Sequence, residues 1–259
     1  MTPALPTPND VERVDAWLYE RLHRGHRGDK VFYRRECEGA RHVLECGVGW
    51  GRLLDPLSRA AKRLTGIDLH PGLLARAEEL RTGLPKTRAA RVSILAADLR
   101  SPPAALGPFD RILLPYNTLF CMADEAEQRG ALTALRSVAA PDARLVLDTY
   151  VVEEGPPDPE DEDFEYLITV LEHDTRIDIY ERNLERPDQR IDVTYLCRIF
   201  DVAGEHAVEQ RIAHRYLHPR QLLALLEETG WRPVRVEGDF RGTPFGDHSG
   251  LLIVVAEPA

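Results

Sequence analysis

Between about residues 40 and 152 short apolar runs take turns with helical stretches, and this alternation limits the fold more than any other feature of the chain. HVLEC reads as a strand, RLLDPLSRAA as a helix, RLTGID as a strand and GLLARAEELR as a helix; RVSILAAD and FDRILLP read as strands, Glu125 to Ala139 as a helix and ARLVLDTYV as a strand. Strands separated by helical crossovers lie parallel in one sheet, with the helices packed on its faces. A last helix, PRQLLALLEETG, ends at Gly230 and leads to two more strands, WRPVRVEGDF and LLIVVAEP. The expected class is therefore α/β, with seven mostly parallel strands and helices on both faces.

Late in the chain the period changes to two. FEYLITVLEH, RIDIYERNLE, RIDVTYLCRIFD and HAVEQRIAHRYL read as successive strands of an antiparallel meander, inserted at about residues 160–217. Before it, the proline-rich acidic run from Glu153 to Asp163 reads as a solvated loop. Residues 1–38 are expected to form a loose tail and leading helices, with Asp10 able to cap the first, and residues 39–259 one domain carrying the insertion.

At 259 residues, 43% apolar and 29% charged, the chain can bury a core and falls outside the composition of disorder. No apolar run reaches the ~20 residues that cross a bilayer, and MTPALPTPND lacks a basic, then apolar leader, so no membrane partner and a cytoplasmic location are expected. A net charge of −10 disfavours a phosphate backbone as partner, hence no nucleic acid. Cys37, Cys46, Cys121 and Cys197 show neither a paired spacing nor a nearby His at ligand distance, so neither metal nor disulfide is signalled.

The segment VLECGVGWGRL carries the chemistry. Gly47, Gly49 and Gly51 would turn a strand into a helix and let a ligand approach the backbone with no Cβ in the way. The next strand ends at Asp68, close to the ~20-residue spacing at which a carboxylate meets the hydroxyls of a cofactor ribose. A dinucleotide fingerprint would place its third glycine where Arg52 stands, which makes a nicotinamide or flavin dinucleotide the lesser reading.

With these motifs the chain resembles the class I S-adenosylmethionine-dependent methyltransferases from about Asp29 to its C-terminus. The resemblance implies a Rossmann-like sheet and S-adenosylmethionine as cofactor. It implies that Glu45, Cys46, Gly47, Gly49, Gly51 and Arg52 border the methionine part, that Asp68 and Leu69 meet the ribose, and that Asp98 and Leu99 lie beside adenine. It also sets Pro115, Tyr116 and Asn117 beside the transferable methyl group. Within that superfamily the chain is similar to small-molecule enzymes, including amino-sugar N-methyltransferases, through Gly28-Asp29-Lys30-Val31-Phe32-Tyr33 and the closing Gly238-Asp239-Phe240-Arg241-Gly242-Thr243-Pro244-Phe245. One departure is Trp50, where a small hydroxyl residue is usual.

Each candidate has a plainer reading beside it. Asp68 could only cap the following helix, Asp98 only end a strand in a turn, and Tyr116 could pack while Asn117 caps. Tyr33, with Tyr19 and Phe32, could form an aromatic lid or simply core. His214 and His218 straddle a strand-to-helix junction, so a shared face is not expected, although His214 could reach an active site. The candidate catalytic set is thus Asn117, Tyr116, His214 and Tyr33. The expected partner is a small-molecule methyl acceptor, nitrogen slightly ahead of oxygen, with a homodimer through the meander as a further expectation. Transfer to a protein or tRNA, and cofactor binding without methyl transfer, are the alternatives.

Overall fold

The computed structural model describes residues 11–152 and 163–259; the expected N-terminal tail, the cap at Asp10 and almost all of the acidic run lie outside them. In chain order the elements are α1 (Val11–Leu22), α2 (Asp29–Glu36), β1 (Val43–Cys46), α3 (Leu54–Ala60), β2 (Leu64–Asp68), α4 (Pro71–Gly83), α5 (Lys86–Ala89), β3 (Val92–Ala96), β4 (Phe109–Leu114), α6 (Glu125–Ser137), β5 (Ala139–Tyr150), β6 (Glu165–Glu172), β7 (Thr175–Arg186), β8 (Arg190–Asp201), β9 (Gly204–Arg215), α7 (Pro219–Glu228), β10 (Trp231–Glu237) and β11 (Leu251–Pro258). They fall into two compact units, one of residues up to Leu119 with Ala126–Val151 and Pro219–Ala259, the other of Phe120–Glu125 with Val152–His218.

The first unit holds a seven-stranded sheet in the order β3-β2-β1-β4-β5-β11-β10. All neighbours up to β5 are parallel, and β11 runs against both β5 and β10. From β1 the chain moves outward through β2 to β3 and then returns to place β4 on the other side of β1. That reversal opens a crevice beyond the C-terminal ends of β1 and β4, where open α/β sheets take their ligands.

Helices cover both faces of the sheet centre, so β1 is buried at every residue and reads as an apolar run rather than an alternation. On one face Phe32 and Tyr33 of α2 and Leu54 and Leu57 of α3 pack against Val43, Leu113, Val146 and Ile253. Each such side chain contributes roughly 1.5–3 kcal/mol by leaving water. Elsewhere α6 buries Gln128, Ala131, Leu132 and Leu135, and α7 buries Leu222, Leu225 and Leu226, the spacing of one helical stripe. Gly230, at φ 82°, ends α7 and delivers Trp231, whose indole N–H donates to the Leu132 carbonyl at 3.1 Å.

The second unit is a meander in the order β6-β7-β8-β9, antiparallel throughout. Asp188 and Gln189, both left-handed, turn β7 into β8. Ile177, Ile179, Cys197 and Ile199 are buried, whereas edge strand β6 exposes Tyr166, Leu167, Ile168 and Leu171.

Several details differ from the sequence reading. Strand β5 starts at Ala139, four residues early, because a register shift after Phe109↔Ala139 absorbs Pro141, which has no N–H for a ladder. Helix α3 starts two residues late, since Gly51 to Leu53 are still turning. The short α5 was not expected; four residues carry no period, and only Pro85 before it hints at a helix start. The inserted unit also takes in Phe120–Glu125 as well as the meander.

Candidate active site

Strand β1 runs out at Cys46 into a bend in which Gly47, Gly49 and Gly51 have φ of 69°, 54° and 89°. All three lie where side chains are strained, but their surroundings differ. A Cβ on Gly47 would come within 2.7 Å of Thr118 Oγ1, and one on Gly51 within 2.7 Å of Leu54 Cδ1 and 3.2 Å of Ala77 Cα. Those two let the loop pack. On Gly49 a Cβ would meet nothing closer than 3.9 Å, which leaves this backbone open to an approaching ligand.

Asp68, at the end of the neighbouring β2, turns its carboxylate to that bend. The Gly49 N–H donates to Oδ2 at 2.8 Å, while the Leu69 and His70 N–H groups donate to Oδ1 at 2.8 and 3.0 Å. The helix cap is His70 instead, whose Nδ1 accepts from the Leu73 N–H at 3.2 Å, so the purely capping reading of Asp68 does not hold. Leu69 is exposed. At the end of β3, Asp98 is engaged by Arg100 through its backbone N–H at 2.8 Å and its guanidinium at 2.6–3.0 Å, which holds the Asp98 carboxyl below the usual range; Leu99 beside it is buried.

Glu45 is buried on β1, and its Oε2 has no hydrogen-bond partner among the described residues. Burial pushes its carboxyl up to about 8, against the pull of Arg52. Cys46 faces the other way and is fully buried, which raises its thiol. Arg52, where a dinucleotide loop would have glycine, forms a buried ion pair with Asp29 and lies 5.6 Å from the Tyr116 ring centroid. Asp29 also accepts the His26 N–H at 3.1 Å, so the pair ties the start of α2 to the glycine bend. Removing one partner would strand the other charge at a cost of about 3–5 kcal/mol. Trp50 makes a similar tie, since its indole N–H donates to the His23 carbonyl at 3.2 Å.

Beyond β4 the chain makes a tight turn at Pro115. Tyr116 and Asn117 follow at φ 56° and 62°, a conformation costing on the order of 1–3 kcal/mol per non-glycine residue. Asp148 on β5 holds the turn: its Oδ1 accepts the Tyr116 N–H at 2.9 Å and its carbonyl the Asn117 N–H at 3.1 Å. The Asn117 Oδ1 accepts the Tyr150 N–H at 2.8 Å. The fully buried Tyr33 donates its hydroxyl to Asp148 Oδ1, while Asp148 Oδ2 has no partner among the described residues. Burial, then the Asp148 charge, raises the Tyr33 hydroxyl, and burial raises the Asp148 carboxyl. Glu45 pairs with Leu113 and Leu113 with Val146, so Asp148, two residues on, shares the sheet face of Glu45.

Around the bend, Tyr19, His23, Glu45, Trp50, Arg52 and Tyr116 enclose a cavity of about 40 Å³, roughly one water molecule. A larger groove of about 510 Å³ lies between α2 and α3 but contains none of these residues, so the chemistry and not the size assigns the site.

The first unit therefore brings together the glycines, Glu45, Arg52, Pro115, Tyr116 and Asn117, with Asp68 at the rim. His214 lies on β9 of the second unit, opposite Ile191, where burial draws its pKa down to about 4. It shares no helix face with His218, since β9 ends at Arg215 and α7 starts at Pro219. Sequence reasoning missed Asp148 and the Asp29–Arg52 pair. The signal for Asp148 was present as a lone acid closing the apolar run LVLD, at a place where a buried charge needs a purpose.

Residues 43–142 match the protein family described as Methyltransferase domain. No curated protein matches the chain. Among solved structures the fold is similar to the CcbJ methyltransferase from Streptomyces caelestis, at 19% identity over 99% of this chain and 94% of that one, with a TM-score of 0.72. It is similar to the sugar N-methyltransferase KedS8 from Streptoalloteichus sp. at 19% identity over 99% and 96%, with a TM-score of 0.73. The amino pentose methyltransferase CalS10 from Micromonospora echinaspora, solved with S-adenosylmethionine bound, matches at 21% identity over the whole of both chains, with a TM-score of 0.69. The glycine bend, Asp68 and the turn after β4 all lie within residues 43–142, the stretch that matches the methyltransferase domain, whose cofactor is S-adenosylmethionine.

Proposed function

We propose that this chain transfers a methyl group from S-adenosylmethionine to a small-molecule acceptor, with an amine nitrogen preferred to a hydroxyl. The observation that carries the reading is the unpartnered buried Glu45 Oε2 beside an open glycine backbone. A buried carboxyl with one bare oxygen suits the ammonium of an amino-acid moiety. Asp68, on the adjacent strand, offers acceptor oxygens suited to ribose hydroxyls, and Gly49 lets the ligand lie against the main chain. Cys46 and Leu99, both buried, would act through their backbone and packing.

The cofactor supplies a methyl group on a sulfonium, a strong leaving group. What remains for the protein is to align the acceptor in line with the methyl carbon and to exclude water, and orientation alone offers effective molarities of about 10⁵ M or more. A neutral amine nitrogen would be the nucleophile toward the methyl group that the bound sulfonium would supply, with the thioether as leaving group. The methylated nitrogen then releases a proton to solvent. Pro115, Tyr116 and Asn117 are the groups we place beside the methyl. His214, whose pKa burial draws down to about 4, is too weak a base to take that proton, which leaves solvent as its acceptor.

The nitrogen preference draws on relatives of this fold that are sugar N- and amino pentose methyltransferases by name. Calorimetric titration with S-adenosylmethionine, followed by a screen of free and nucleotide-linked amino sugars for release of S-adenosylhomocysteine, tests both halves. Binding with release is the expected result; no heat at all would end the reading, and release only with hydroxyl acceptors would reverse the preference. As part of this reading, two copies pair along the apolar edge of β6, where Leu171 is 75% exposed. Sedimentation should give a dimer for the parent and a monomer for Leu171→Lys.

A further inference from the structure

The Tyr116–Asn117 turn needs something to hold it. Two successive side-chain-bearing residues in the left-handed region, one of them aromatic, do not stay there on local preference. The turn is over-determined by one residue: Asp148 takes the Tyr116 N–H with its carboxylate and the Asn117 N–H with its carbonyl. Asp148 in turn is set by the Tyr33 hydroxyl, and Tyr33 by edge-on and tilted contacts with Phe32 and Phe240 at 5.4 and 6.2 Å between centroids. On its other side the turn is locked to the glycine bend, since Thr118 donates to the Pro115 carbonyl at 2.6 Å and packs where Gly47 has no Cβ. A carboxyl so deeply buried is a poor choice for stability alone, because an apolar residue would fill the place at less cost.

We propose that Tyr33 and Asp148 are a positioning pair: they fix the left-handed Tyr116–Asn117 turn against the glycine bend and so set the alignment of acceptor and methyl group, without setting cofactor affinity. Neither touches the substrate. The pair acts through backbone amides, and its contribution belongs to kcat. This inference rests on the methyl-transfer reading above, but its first readout does not.

The test compares Tyr33→Phe, which keeps the ring and removes the hydroxyl, with Asp148→Leu and Asp148→Asn. Amide hydrogen exchange at Tyr116, Asn117 and Tyr150 is measured first, then affinity for S-adenosylmethionine, then S-adenosylhomocysteine release with the most active amino sugar of the screen. In Tyr33→Phe exchange at the turn should rise at least about tenfold and turnover fall about 10–50-fold, while the cofactor Kd stays within about threefold. Asp148→Asn retains the accepting Oδ1, and should recover most of the turnover that Asp148→Leu loses. The proposal is overturned if Tyr33→Phe leaves exchange at the turn unchanged, if cofactor affinity falls in step with turnover, or if Asp148→Asn protects the turn and still abolishes transfer. A parent protein that binds no cofactor would sink the functional reading instead, and the exchange measurement would still decide whether the clamp exists.

Discussion

Glu45→Gln is expected to make the protein more stable and a much weaker binder of S-adenosylmethionine. The buried carboxyl has its pKa pushed up to about 8. An acid whose folded pKa is raised above its unfolded value costs stability as pH climbs from that unfolded value to the folded one. Between an ordinary 4.5 and pH 7, at about 1.36 kcal/mol per unit, the cost is roughly 3 kcal/mol. The amide removes this penalty but buries an NH₂ without a partner, so a net gain of about 2 kcal/mol, or about 4–8 °C in Tm, is expected at pH 7 and should vanish near pH 4.5. Binding should move the other way, with about 10–100-fold lower affinity from loss of the only charge we assign to the ammonium. In the parent, affinity should rise by up to about tenfold per unit between pH 6 and 7, as the carboxyl gives up its proton, and in the variant this slope should be gone. Thermal melts and calorimetry at several pH values read both effects; a variant less stable than the parent at pH 7 would contradict the burial argument.

Asp68→Ala is expected to give the largest loss of cofactor affinity, about 100-fold, from two charge-assisted hydrogen bonds worth about 1.5–3 kcal/mol each, less what water restores. Its carboxylate also holds the Gly49 N–H and so shapes the bend itself. Asp98→Ala should cost much less, within about fivefold, because the Arg100 guanidinium already neutralises that carboxylate near the surface, whereas Asp68 meets only neutral backbone N–H groups. Equal losses at the two sites, measured by calorimetry, would mean that the ribose does not sit over β2.

The seven-stranded sheet and the meander were legible because their signals are local: continuous apolar runs between helical stretches for one, strict alternation for the other. The glycine bend and Asp68 were legible for the same reason, since a strand, a turn and an acid one strand later are close in sequence. What stayed hidden depends on long-range packing. Asp148 meets Tyr33 from 115 residues away, and the sequence around either shows only an apolar strand and an aromatic helix. The left-handed pair Tyr116–Asn117 was equally unreadable, because asparagine accepts that conformation readily but tyrosine gives no sign of it. Register shifts such as the one that carries Pro141 into β5 depend on the partner strand, so boundaries moved where elements did not.

Titrating S-adenosylmethionine into ¹⁵N-labelled protein tests the central claim most directly. The amide resonances of Gly47, Gly49, Gly51 and Asp68 should move together and saturate at one equivalent, with those of Tyr116 and Asn117 following. A saturating shift confined to other residues, with the glycine bend unmoved, would show that the cofactor is held elsewhere and that the site described above is not where methyl transfer begins.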